Sequence, residues 1–206
     1  MEMLNLENLN NMHLDVLREI GNIGAGNAAT ALANMLDKKI DMEVPNVKIL
    51  DFNDVVSTLG GEESVVAGIY FNLDGDLDGN IMFLLDIVSS KILTSILMGR
   101  EDYSKELDEM DHSALQEVGN ILSGSYIASL STLTGLNLTL SVPSLCVDMA
   151  GAILSVPAIQ FGFVTDKVLL IETKLRDGND LVKANFFLIP NATSFGTLLK
   201  SLGVYE

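Results

Sequence analysis

Apolar and small residues recur at helical spacing in two long segments of the chain, and polar residues fill the opposite side. The apolar side of the first segment carries Leu17, Ile20, Gly24, Ala28, Ala31 and Met35. The corresponding side of the second segment carries Leu115, Val118, Leu122, Tyr126 and Leu133. A period of about 3.6 residues is typical of an amphipathic helix with one buried face. The pattern predicts a long helix at 10–36 and another at 108–133.

Strand patterns follow each predicted long helix, and a shorter helix closes each half of the chain. These strands and closing helices are predicted at 40–50, 65–73, 80–85, 87–98 and 194–202. The turns Asp74–Gly79 and Arg176–Asp180 contain the Asp and Gly residues that hairpins require. Because hairpins join antiparallel strands, we expect an α+β fold and not a doubly wound parallel sheet.

The second half of the chain repeats the first half at an offset of 98 residues, the separation of Glu19 and Glu117. The segments that contain the two long helices share nine identities in 24 aligned positions. We expect one domain over residues 1–206, built of two repeats at 9–99 and 107–203 that pack about a pseudo-twofold axis. A charged segment, Gly99–Asp108, is predicted to be the exposed joint between them.

The polar side of each predicted long helix carries the same pair of functional groups. Glu19 and Asn22 lie on this side of the first helix, and Glu117 and Asn120 lie at the corresponding positions of the second. A solvated face is the ordinary explanation for such a polar side. The pair Glu-x-x-Asn is nevertheless kept in both repeats while other outward positions differ, which favours a shared functional site.

Four further residues share these polar sides, namely Asp15, Ser113, Gly26 and Gly124. A glycine inside a helix costs about 1 kcal/mol relative to alanine. An outward glycine therefore suggests that another backbone or a bulky group comes close to the helix. Helix–helix packing is the alternative explanation, and it fits Gly24 on the inner side better than Gly26. We treat the four residues as candidate partner contacts.

The charge balance disfavours several classes of function. The chain has 28 Asp and Glu residues against 12 Lys and Arg residues, a formal net charge of −16. General nucleic-acid binding needs clustered cations and is not expected, and docking on anionic membranes is disfavoured. The apolar runs are far shorter than the roughly 20 residues of a membrane span, and no basic signal-peptide region is seen. We therefore expect a cytoplasmic protein without membrane insertion.

Metal and nucleotide sites are not expected either. Cys146 is the only cysteine and is predicted to be a buried apolar residue, and the two histidines lie at non-equivalent positions of the repeats. The segment Gly24–Ala29 matches a loose dinucleotide fingerprint, but it lies inside a predicted helix instead of following a strand. Asp74–Gly79 begins like a calcium loop, yet Leu85 stands where the loop needs Glu, so a hairpin turn is predicted.

A spaced motif, [Asp/Ser]-x3-Glu-x2-Asn-x22-Pro, occurs once in each repeat. Its residues are Asp15, Glu19, Asn22 and Pro45, and again Ser113, Glu117, Asn120 and Pro143. With this pattern the chain resembles the CheC/CheX/FliY family of phosphatases of bacterial chemotaxis. The resemblance extends over essentially the whole chain, and two motifs in a chain of this length are typical of the CheC branch.

The resemblance implies that the chain dephosphorylates the phosphorylated response regulator CheY. Asn22 and Asn120 would orient the attacking water, and Glu19 and Glu117 would pair with the lysine of the receiver domain. No cofactor is expected in this chain, because the resemblance places Mg²⁺ in the receiver. It also implies that CheD, a receptor deamidase, is a partner. Pro45 is predicted to be architectural, as is its counterpart in the second motif.

Two other interpretations stay open at this point. A non-catalytic binding module would bind CheY-like or CheD-like partners without processing them. A nucleotide-binding enzyme would use the glycine-rich segment of the first helix. The Asn residue of each motif favours catalysis, because a pure adaptor needs no carboxamide at that position.

Overall fold

The structure is a computed structural model that describes residues 11–100, 102–103, 105–161, 167–177 and 180–201. Its helices are α1 (Asn11–Leu36), α2 (Phe52–Thr58), α3 (Ile87–Met98), α4 (Glu109–Thr134), α5 (Ala150–Phe161) and α6 (Ala192–Ser201). Its strands are β1 (Asp41–Asp51), β2 (Val65–Gly75), β3 (Gly79–Asp86), β4 (Leu138–Leu140), β5 (Ser144–Met149), β6 (Lys167–Asp177) and β7 (Asp180–Pro190).

The described strands form one antiparallel sheet in the order β1-β6-β7-β3-β2-β4, with β5 also paired to β2. The first strand of each repeat pairs with a strand of the other repeat, because β1 lies beside β6 while β4 and β5 lie beside β2. Strands of the two repeats also pair at the centre of the sheet, where β3 lies beside β7. This arrangement confirms the predicted α+β class and its pseudo-twofold relation.

Each face of the sheet is covered by helices and carries its own apolar core. The larger core lies between the sheet and helices α1, α3, α4 and α6, and the smaller one lies between the opposite face and helices α2 and α5. Alternate residues of a strand point to opposite faces. On β2, for example, Ile69 and Phe71 enter the larger core while Val66 enters the smaller one. Residues on both faces of β2 are therefore buried in an apolar core.

Close packing and capping fix the two long helices. A Cβ atom built on Gly24 of α1 would lie 2.9 Å from the Cα atom of Tyr126 in α4, so the two helices approach each other at this glycine. Helix α4 begins at a capping box, in which the Asp108 side chain accepts from the N–H groups of Met110 and Asp111. It ends at Gly135, which adopts a left-handed conformation with φ 72°. The prediction that Gly24 serves helix packing is confirmed.

Three predictions about individual residues are wrong. Cys146 is exposed and not buried, because it lies on β5, whose described hydrogen-bonded partner is β2 alone. Met35 and Leu133 were predicted to face inward, but their exposed fractions are 47% and 50%. Both lie in the last turn of a long helix, where the described residues leave them uncovered. The short helices α2 and α5 were also not predicted.

Some predictions fall outside the described residues or stay untested. The start and end of the two predicted repeats, at 9 and 203, lie outside the described part of the chain, as do the central residues of the turn Arg176–Asp180. The extent of the single domain stays a prediction. Among the described residues, no helix is both long and apolar enough to cross a membrane.

Candidate functional site

The polar sides of α1 and α4 are open to solvent. On α1, Asp15, Glu19, Asn22 and Gly26 are all exposed. On α4, Ser113, Glu117 and Asn120 are exposed and Gly124 is half-buried. The helical spacing in the sequence therefore predicted the outward side of both helices correctly. We refer to the first set as the α1 stripe and to the second as the α4 stripe. A partner molecule can reach both stripes.

The two glutamates of the stripes have no partner within the described part of the chain. Neither Glu19 nor Glu117 forms a hydrogen bond or an ion pair there, so each carboxylate is available to a ligand. By contrast, Asp15 already forms an ion pair with Arg18, with 2.6 Å between the side-chain oxygen and nitrogen. The Ser113 hydroxyl donates to the carbonyl oxygen of Glu109 at 3.0 Å. The first motif position is thus engaged locally in both repeats, whereas the glutamate is not.

Asn22 is held by the neighbouring strand. The backbone N–H of Val44 in β1 donates to the Oδ1 atom of Asn22 at 3.0 Å. Because a peptide N–H can only donate, the carboxamide oxygen faces β1. The bond leaves one lone pair on this oxygen and both amide hydrogens free for a ligand or a water molecule. Asn22 is therefore both exposed and fixed in orientation.

Asn120 lacks such an anchor among the described residues. The residue that corresponds to Val44 is Val142, which lies in the break between β4 and β5 and has an exposed fraction of 83%. Val44 itself is 4% exposed. Although the motif has the same spacing in both repeats, its local structure differs, since β1 is one continuous strand where the second repeat has two short ones. The two stripes are therefore similar in sequence and unequal in geometry.

The outward glycines have no packing role inside the described chain. A Cβ atom built on Gly26 or on Gly124 would meet no atom within 4 Å. This open space contrasts with Gly24, where the added atom would clash with the α4 backbone. Packing against the described residues therefore does not require a glycine at position 26 or 124.

Exposed methionines extend both stripes, and the sequence analysis did not single them out. Met12 and Met110 are 66% and 61% exposed, one turn before the first motif position of each helix. Ile23, beside Asn22, is 40% exposed. The two methionines are aligned in the repeats, so the identity between the repeats was the signal that could have found them. Each stripe thus offers an apolar end as well as polar groups.

The two segments that resemble a dinucleotide fingerprint and a calcium loop have structural roles. Gly24–Ala29 lies inside α1, well after the start of the helix, where a phosphate-binding turn cannot form. Asp74–Gly79 joins β2 to β3, and the carboxylate of Asp76 accepts from the N–H of Asn137 at 2.8 Å. Among the described residues, no group of three or more His, Cys, Asp and Glu side chains could hold a metal ion. That this chain carries no metal stays a prediction.

Comparisons with known proteins agree with the motif. The model of the CheC-like family matches residues 12–49 and 110–147, and each match contains one complete motif. The chain is 40% identical over 195 residues to the CheY-P phosphatase CheC of Bacillus subtilis (strain 168), covering 92% of this chain and 93% of that protein. It is 28% identical over 144 residues to the flagellar motor switch phosphatase FliY of the same strain, covering 69% of this chain and 37% of that protein. The crystal structure of Thermotoga maritima FliY superposes with a TM-score of 0.78 at 26% identity, covering 97% of this chain and 100% of that one. The chain therefore belongs to the CheC-like family.

Proposed function

We propose that this protein is a phosphatase that removes the phosphoryl group from the phosphorylated aspartate of a CheY-like receiver. The observation that carries the proposal is the exposed Glu-x-x-Asn pair, which stands complete on both long helices. The 40% identity to a protein named CheY-P phosphatase CheC supports the choice of substrate.

The carboxamides suit the hydrolysis of an acyl phosphate. Phosphoryl transfer requires mostly the positioning of the nucleophile and the stabilisation of charge. A carboxamide donates and accepts hydrogen bonds at the same time, so Asn22 or Asn120 would hold a water molecule in line with the departing aspartate oxygen. It cannot act as a base, and a loose transition state does not require one. The role of each asparagine is therefore orientation of the water.

The glutamates would place the receiver on the helix. In our proposal, Glu19 and Glu117 pair with the receiver's lysine, since each carboxylate is exposed and has no ion-pair partner among the described residues. One helical turn separates each glutamate from its asparagine, so both side chains project from the same side. The open space over Gly26 and Gly124 would admit the receiver's backbone close to the helix. Asp15 and Ser113 would line the edge of the same contact.

The partners follow from this proposal. The phosphorylated receiver is the substrate and brings its own Mg²⁺, so no cofactor would be bound by this chain. The net charge of −16 would disfavour acidic competitors such as nucleic acid. Binding of a CheD-like deamidase stays a prediction from the family resemblance.

Phosphate release from a phosphorylated CheY-like receiver tests the proposal. We expect Asn22→Ala and Asn120→Ala each to retain partial activity, because the other stripe still works. The double variant is expected to fall to the receiver's own hydrolysis rate. The asparagine variants should lose activity mainly through a lower kcat, because the carboxamide acts in the transition state. Glu19→Ala and Glu117→Ala should also raise KM.

Asn27→Ala is the matched control, because it removes an exposed carboxamide from α1 that lies outside the motif. It should leave phosphate release unchanged. A folded double Asn22→Ala, Asn120→Ala variant with full activity would exclude the mechanism. The protein is a binding module instead if the unsubstituted protein releases no phosphate and the double asparagine variant still binds the receiver.

A further inference from the structure

The N–H group that anchors Asn22 is free because β1 bulges at this point. In the register of β1 with β6, Glu43 lies opposite Lys174 and Asn46 lies opposite Glu172. Two residues of β1 therefore face a single residue of β6, which is the geometry of a β-bulge. A bulge takes its extra residue out of the ladder of hydrogen bonds. The Val44 N–H is thereby turned from β6 towards Asn22, where it donates at 3.0 Å.

The residue after Val44 is Pro45, the last position of the motif. Proline has no N–H group, so it cannot restore the ladder at the bulge. It also restricts the residue before it to extended conformations, which limits the directions that the Val44 N–H can take. The motif spacing Asn-x22-Pro thus sets the proline directly after the donor that reaches the asparagine. We propose that Pro45 is a positioning residue, which holds the Val44 N–H against the carboxamide of Asn22; this rests on the proposed function of Asn22.

The contact between α1 and β1 brings the donor within reach. Val44 is 4% exposed and packs under Gly21, the residue before Asn22. A Cβ atom built on Gly21 would lie 3.3 Å from Cγ1 of Val44, which is tighter than an ordinary van der Waals contact. A larger residue at Gly21 would therefore push β1 away from the helix. Gly21 sets the distance and Pro45 sets the direction of the donor.

The second repeat provides an internal comparison. It has the same spacing from Asn120 to Pro143, yet Val142 is 83% exposed and no described donor reaches Asn120. Spacing alone therefore does not make the anchor, which also needs the buried strand beside the helix. The proposal predicts that Pro45 matters for the α1 stripe and that Pro143 matters little for the α4 stripe.

Two single-stripe backgrounds test the proposal. Asn120→Ala leaves the α1 stripe active, and Asn22→Ala leaves the α4 stripe active. In the Asn120→Ala background we expect Pro45→Ala to lower kcat about tenfold with KM unchanged, because orientation and not docking is lost. In the Asn22→Ala background, Pro45→Ala should leave kcat within about twofold, which a general loss of structure would not do. Pro143→Ala should likewise have little effect there.

A direct measurement follows the hydrogen bond itself. Hydrogen exchange of the Val44 amide should be faster in Asn22→Ala than in the unsubstituted protein, and faster in Pro45→Ala as well. If Pro45→Ala does not fold, Gly21→Ala displaces the same donor without a substitution in β1 itself, and the same loss of kcat is expected.

The outcomes separate this inference from the proposed function. Equal losses in both backgrounds would overturn the positioning role and leave Pro45 a general structural residue. An unchanged kcat in the Asn120→Ala background would also overturn it, while an inactive double asparagine variant would still uphold the phosphatase. Full activity in that double variant would exclude the proposed role of the asparagines, and absence of phosphate release by the unsubstituted protein would remove the proposed function itself.

Discussion

Gly26 offers a test in which stability and function should move in opposite directions. The residue lies inside α1 on its exposed side, and a Cβ atom added there would meet nothing within 4 Å. Alanine is favoured over glycine in a helix interior by about 1 kcal/mol. Gly26→Ala should therefore raise the free energy of unfolding by about 0.5–1 kcal/mol. For a protein of this size that corresponds to a rise in Tm of about 1–4 °C.

The same substitution should weaken the reaction with the receiver. If the receiver's backbone comes close to α1 over Gly26, a methyl group occupies the space that the contact needs. We expect a higher KM for the phosphorylated receiver, measured in the Asn120→Ala background so that only the α1 stripe contributes. A raised KM at increased stability would show that the glycine serves the partner and not the fold.

Gly24→Ala is the matched control two residues away. Its Cβ atom would lie 2.9 Å from the Cα atom of Tyr126, and backbone cannot yield as a flexible side chain can. This variant should lose about 1–3 kcal/mol of stability through overpacking. Thermal unfolding followed by circular dichroism measures both variants. A Gly26→Ala protein that is less stable would contradict the open-space argument, and one that is more stable with unchanged KM would remove Gly26 from the docking surface.

Two further predictions concern acid stability and thiol exposure. Hydrogen bonds from Lys105 and from the N–H groups of Asp111 and Met110 lower the pKa of the Asp108 carboxyl below its ordinary value of 3.8. The ionised Asp108 side chain therefore stabilises the fold fully above pH 3.8, and this stabilisation is lost as the pH falls through the lower pKa of the folded state. Asp108→Asn keeps an N-cap acceptor and should flatten the decline of Tm between about pH 5 and pH 2; an unchanged slope would count against this role. Cys146 is exposed, so it should react with Ellman's reagent without denaturant, and a requirement for unfolding would contradict its position on β5.

The long helices and their outward residues were predictable because their sequence signal is long and periodic. The predicted end of the first helix agrees with the observed one, and both ends of the second differ by one residue. The repeat strengthened the signal, since Glu19 and Glu117 recur at one spacing on helices with the same phase. Exposure of these side chains follows from the pattern alone, because a polar stripe opposite an apolar one has no core to enter.

The short helices and the anchor of Asn22 were not predictable in the same way. Helix α2 spans seven residues and includes two valines and a threonine, which have low helix propensity. It forms because Val55 is fully buried in the smaller core, which is a tertiary effect. The bond from Val44 to Asn22 depends on a bulge opposite β6, and no pattern within one repeat indicates which strand lies there. The burial of Cys146 was predicted wrongly for a related reason, because the sequence does not show that its strand pairs only with β2 among the described strands.

Because the repeats exchange strands, the two stripes depend on one shared sheet for their stability, although each stripe carries its own Glu and Asn side chains. Each Gly-Asn pair of a long helix rests on an isoleucine of the other repeat, Gly21 near Ile171 of β6 and Gly119 near Ile69 of β2. A Cβ atom added to Gly119 would lie 2.7 Å from Cδ1 of Ile69, so this support is in close contact. Neither repeat can therefore present its asparagine on a packed helix without the sheet strand of the other. If each stripe meets its own receiver, as proposed, substitutions of the exposed side chains should add in rate. Truncation of a buried residue of the shared sheet, unlike a change at the bulge of β1, should act on both stripes together.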